Sequence, residues 1–182
     1  MQRTKWTERK FSFDFPAGWL SNILTRLWGT SARIKEMTLS LKDEDASFKP
    51  AGKWSIKENI GHLSDLEELH EGRIDDFLAR KETLRAADMS NAKTFAADHN
   101  KKSMGQLISE FSVKRKRFIA RLEQLDDETQ NFKSLHPRLQ VLMRPADVAY
   151  FTAEHDDHHL ADIHEILSLK KSDRNKEQHE PD

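Results

Sequence analysis

Residues 154–160 read EHDDHHL, three histidines and three acids in seven positions, directly before an apolar run. At 100° per residue, Val148, Phe151, His155, His159 and Ile166 fall within one arc of a helix, so His155 and His159 occupy the stripe that should face a core. A buried imidazole without a partner costs about 1–3 kcal/mol, and two on one seam require something that satisfies both. Ring nitrogens one turn apart can converge on a single metal ion at about 2.0–2.1 Å. The spacing alone leaves two readings open, a metal-binding pair or two hydrogen-bonded core histidines. A third ligand is needed, and His62, in IGHLSDLE, flanks the apolar face of another helix, although a lone histidine there is usually structural. The pair also resembles the spacing of zinc peptidases, but Asp156 follows His155 where those enzymes need Glu, and little beyond His159 could supply their third ligand.

The elements that would position these residues are helices. The 182 residues contain only 6 Gly and 5 Pro, apolar residues recur at helical spacing, and no convincing strand is visible. One helix is expected after Pro16 and Gly18, with Leu20, Leu24, Leu27, Ile34 and Leu41 on one stripe. A second opens at Ser55, with Glu58 completing a capping box, and a third at Ser103 with Gln106. A fourth opens at Pro145, which suits the first helical position, and is expected to end near Lys170. Helices of this size span on the order of 30 Å, the dimensions of a four-helix bundle, and the long connections leave crossover topologies open. Residues 1–17 read as an extension, 18–170 as the bundle, and 171–182 as a charged, disordered tail.

Composition narrows the function. Thirty Lys and Arg against 31 Asp and Glu leave no net field to draw nucleic acid or an anionic membrane. The basic run Lys114–Arg117 wraps around its helix and is expected to be a solvated face, not a nucleic-acid stripe. The four tryptophans, Trp6, Trp19, Trp28 and Trp54, are expected to anchor core and interface. No membrane span or signal sequence is evident, and a cytoplasmic location is expected. With no cysteine, the chain has neither a thiolate ligand nor a thiol nucleophile of its own.

The segment GKWSIKENIGHLSDLEELH, followed after a long middle by HPRLQVLMRPADVAYFTAEHDDHHLADI, resembles the DinB/YfiT-like superfamily of metal-binding four-helix bundles over roughly residues 18 to 168. The order of its motifs, a Trp-Ser helix start leading to Gly-His-Leu and then a final His-x-x-x-His, is more specific than any one of them. The resemblance implies an up-down-down-up bundle and a three-histidine site, here His62, His155 and His159, on one divalent ion. Zinc or nickel is expected first, then iron or manganese; imidazole itself does not choose among such metals. The resemblance further implies a homodimer, a small-molecule substrate, and chemistry similar either to metal-dependent hydrolases or to transferases and isomerases that use a low-molecular-weight thiol.

Three neutral ligands leave an ion its full charge and an open position. Zinc in such a site can bring the pKa of bound water from 15.7 to about 7, or favour a thiolate supplied as cosubstrate. Asp162, one turn beyond His158, is the candidate base or orienting carboxylate. Taken singly, Glu154, Asp156, Asp157 and Asp162 are otherwise expected to be solvated. His158 is a spare ligand candidate, and His136 in LHPRL and His99 in ADHN are candidates to line a pocket. Two functions are carried forward: a metal-dependent hydrolase or S-transferase, and a non-catalytic, dimeric metal-binding module in a stress response.

Overall fold

The computed structural model describes residues 3–177, with side chains through Lys170. In chain order its elements are α1 (Leu20–Met37), α2 (Asp43–Ala46), α3 (Ile56–Leu78), α4 (Ala92–Ala96), α5 (Met104–Glu123), α6 (Asp127–Asn131), β1 (Ser134–His136), β2 (Val141–Met143) and α7 (Pro145–Glu177). Both expected capping boxes form. Ser55 Oγ accepts from Glu58 N at 3.0 Å while Glu58 Oε2 accepts from Ser55 N at 2.8 Å, and Ser103 and Gln106 do the same for α5. Each cap satisfies amides that the first turn cannot pair internally, worth about 1 kcal/mol.

The long helices α1, α3, α5 and α7 make the bundle, and their pairing gives its direction. Along α3 and α5, Lys114 reaches Ser64, Arg115 reaches Glu67 and Arg121 reaches Asp75, so these two helices run parallel. Arg26 meets Glu154 and Arg33 meets Asp157, so α1 and α7 also run parallel. Asn59 meets His159 whereas the later His70 meets Thr152, so α3 opposes α7. The order is therefore up, down, down, up, as expected. One core layer holds Leu24 and Leu27 with Phe118, Leu122 and Ala149; a second, at the other end, holds Ile34 with Ile60, Phe111 and Ile163.

Four expectations are corrected. A short antiparallel hairpin, β1 with β2, sits in the last long connection, with Ser134 opposite Met143 and His136 opposite Val141; strands of three residues are too short to show a period of two. Helix α7 continues to Glu177, past Lys170 and through most of the expected tail, while residues 178–182 lie outside the described residues. Arg115 is not on a solvated face: it is 1% exposed at the centre of the bundle, where it pairs with Glu67 and Asp156. Nor are the acids of α7 simply solvated, since Asp156 is fully buried and Glu154 and Asp157 are held by Arg9, Arg26 and Arg33.

Candidate metal centre

Helix α3 delivers His62 and helix α7 delivers His155 and His159 to one point between them, where one ring nitrogen from each lies within 4.8 Å of the other two. His159 Nε2 and His155 Nε2 are 3.2 Å apart. Two nitrogens at opposite ends of a tetrahedral edge around zinc, at 2.0–2.1 Å each, would be separated by about 3.3 Å. The pair is thus already spaced as two ligands of one ion.

Hydrogen bonds on the far side of two rings fix which nitrogen is free. Asn59 Nδ2 donates to Ser55 O at 2.8 Å, which turns Asn59 Oδ1 toward His159 Nδ1 at 2.7 Å. His159 must donate there, so its lone pair lies on Nε2. Thr94 Oγ1 donates its single proton to Asp65 Oδ2 at 3.0 Å and therefore accepts from His62 Nδ1 at 3.1 Å, leaving the His62 Nε2 lone pair free. Asp65 Oδ2 also accepts from His99 Nε2 at 2.8 Å. Burial pushes Asp65 up, but these bonds from His99 and Thr94 outweigh it and hold the carboxyl below its ordinary range. His99 can sit there because it packs over Gly61, where a Cβ would lie 2.2 Å from His99 Cγ.

Burial also decides the charge. It lowers His62 to about 4 against the opposing pull of Asp65, and lowers His155 and His159 well below the ordinary histidine value. All three imidazoles are neutral at pH 7, the state that metal ligation needs. The donor set, its spacing and the fixed tautomers of His62 and His159 fit a divalent cation; imidazole is compatible with zinc, nickel and iron.

The three histidines open into a cavity of about 460 Å³. Trp6 closes one side, its ring 4.9 Å from His155 and 5.7 Å from His158, and Trp54 stacks on His159 at 6.0 Å. Leu66, Leu69 and Phe151 give the cavity an apolar body, and His70, Arg73, His136 and Arg138 also line it. His136 is among its lining residues: its Nδ1 accepts from Leu139 N at 3.2 Å, while its buried Nε2 has no partner among the described residues. His99 stands behind His62 instead of lining the cavity. His158 lines the cavity but faces Asp162, 3.6 Å away, and Asp162 is itself gripped by Arg3. Asp162 therefore joins the amino-terminal segment to α7 and makes no hydrogen bond to the trio among the described residues.

Sequence reading missed Asn59, Asp65 and Thr94 behind the ligands, and His70, Arg73 and Arg138 in the cavity. For Asn59 and Asp65 a signal was present, since both flank His62 at one-turn spacing on α3. Trp19 and Trp28, expected as anchors, are 56% and 60% exposed.

A family model for the DinB superfamily matches residues 27–163. The chain belongs to the DinB superfamily. Among solved structures, the fold is shared with YfiT from Bacillus subtilis, described as "a probable metal-dependent hydrolase with an unusual four-helix bundle topology", at a TM-score of 0.73 and 18% identity over 90% of this chain and 94% of that one. It is shared also with a mycothiol-dependent maleylpyruvate isomerase, at a TM-score of 0.65 and 11% identity over 82% of this chain; the match spans 61% of the isomerase. No curated protein matches by sequence. At these identities the likeness establishes the bundle, while the three-histidine grouping rests on this chain's own geometry. No helix among the described residues of this DinB-superfamily chain is long and apolar enough to cross a membrane.

Proposed function

We propose that the chain is a metal-dependent enzyme in which His62, His155 and His159 hold one divalent ion, zinc or nickel first, that acts on a small molecule bound in the adjoining cavity. The observation that carries this reading is the 3.2 Å separation of two ring nitrogens in a three-histidine group that, among the described residues, includes no acid to complete a closed site, in a chain without cysteine. Three neutral ligands leave a bound ion its full charge and an open position, so it would supply Lewis acidity toward water or an external thiol. The protein's own part is to keep the imidazoles neutral, to fix two of them through Asn59 and Thr94, and to limit water around the site with Trp6 and Trp54. The cavity volume suits a small substrate. Since the chain has no cysteine, any thiol in the reaction must come from a cosubstrate.

The test is an open coordination position. Cobalt(II)-loaded protein should develop a thiolate-to-metal charge-transfer band on addition of a small thiol, with no background from protein thiols, and His155→Ala should abolish it. A cobalt spectrum indifferent to thiol and to azide would mean a closed, structural metal and would favour the binding-module function instead.

A further inference from the structure

Ten of the twelve arginines with described side chains place a guanidinium nitrogen within 4.0 Å of a carboxylate oxygen. The two without such a partner among the described residues, Arg73 and Arg138, line the same cavity as the three histidines. Arg73 is only 3% exposed, and its one hydrogen bond among the described residues runs from Nε to Arg85 O at 3.3 Å. The nearby acid that might have served it, Asp76, is occupied by Arg85 through both oxygens and by Lys81. Among the described residues Arg138 has only aromatic faces as partners, 5.9 Å from Trp6 and 5.5 Å from Phe151. Asp88, the acid among the cavity residues, accepts from Ser90 and Ala92 with its two oxygens and so is committed to its own turn.

A buried guanidinium without an anion is costly, and a chain that pairs its other described arginines leaves these two open where a ligand would enter. His136 lines the same cavity, 2% exposed, with Nε2 unpartnered among the described residues. Burial first, then the charges of Arg73 and Arg138, lower His136 to about 4, so it stands as a neutral group near two cations. Burial first, against the pull of Asp76 and joined by the charges of Arg138 and Arg85, brings Arg73 down to about 10.

We propose that Arg73, Arg138 and His136 form an anion subsite that receives a carboxylate at one end of the substrate, while its reacting end lies at the three histidines. The inference deepens the metal-enzyme reading and rests on it for the position of the reacting end. The places of these groups on the fold suit this division. Arg73 lies eleven residues beyond His62 on α3, about 16 Å of helix rise. Arg138 and His155 share the indole of Trp6, the guanidinium 5.9 Å and the imidazole ring 4.9 Å from its centroid. Leu66, Leu69 and Phe151 line the same cavity and suit an apolar chain. Guanidinium groups match the planar, two-oxygen geometry of a carboxylate, and hydrogen bonds to a charged partner are the strong ones.

The experiment compares ω-mercaptohexanoate with ω-mercaptohexanol on cobalt(II)-loaded protein, by titration calorimetry and by the thiolate band. The acid should bind at least about tenfold more tightly than the alcohol. Arg138→Gln, at a half-buried position of the hairpin loop, should remove that preference; Arg73→Lys, which keeps a cation in the buried place, should reduce it. Equal affinities with a normal thiolate band overturn the subsite and leave the metal reading standing. A preference for the acid that depends on Arg138 but comes without any thiolate band supports the subsite and removes the metal reading. Failure of both compounds to bind, or a preference unchanged in Arg138→Gln, overturns the subsite.

Discussion

Replacing Asn59 by alanine isolates the hydrogen bond that orients His159. Asn59 is 2% exposed, and its Oδ1 lies 2.7 Å from His159 Nδ1. The substitution strands one buried N–H, at a cost of about 1–3 kcal/mol. It does not strand Ser55 O, which still accepts from the backbone N of residue 59 at 3.0 Å. In the metal-loaded protein the loss should appear in the ion's affinity, because the freed ring can rotate or place its proton on the ligating nitrogen. Partners of this kind are worth about 10- to 100-fold in metal affinity, or about 1.4–2.7 kcal/mol, the same range as the hydrogen-bond estimate. Competition against a chromophoric zinc chelator measures it, with circular dichroism to confirm that the helices persist. Asn59→Asp, which restores an acceptor, should recover most of the affinity. An Asn59→Ala protein that binds zinc within about a factor of two of wild type, while His159→Ala loses the ion, would refute the orienting role.

Two further outcomes follow from the buried charges. Arg115→Met removes the cation between Glu67 and Asp156 and should cost about 3–5 kcal/mol in urea denaturation, since it leaves two acids buried and unpaired; Glu67 is already pushed up to about 7, by burial against the pull of Arg115. His136 titrates at about 4 in the folded chain and near 6.5 when unfolded. The unfolded chain therefore binds more protons between those values, and stability present above pH 6.5 is lost as pH falls toward 4. In metal-free protein, His136→Gln should flatten that dependence by up to about 1.4 kcal/mol per pH unit, and an unchanged slope in denaturant midpoints would show that His136 is not held neutral.

The parts of this molecule legible in the sequence are those set by local pattern. Ser55 with Glu58, Ser103 with Gln106, and Pro145 mark helix starts because a cap is satisfied within one turn. His155 and His159 betray themselves by standing on an apolar stripe. What stayed hidden depends on segments distant in the chain. Nothing near Arg115 announces that Glu67 and Asp156 will surround it, and nothing near Trp6 announces that its indole will lie against His155 and His158. Similarly, the hairpin that brings His136 and Arg138 to the cavity is only a short Pro-containing stretch until Gln140, at φ 55°, turns the chain and β2 pairs with β1. Asp162 shows the opposite failure: its spacing from His158 was legible, but its engagement by Arg3 was not.

The central claim, that three imidazoles from two helices share one ion, is tested most directly by elemental analysis of purified protein, wild type beside His62→Ala, His155→Ala and His159→Ala. Wild type should carry one divalent ion per chain, and each folded variant should carry little or none. Full occupancy in the variants, or a wild-type protein that takes up no divalent metal even after incubation with zinc or nickel, would contradict it.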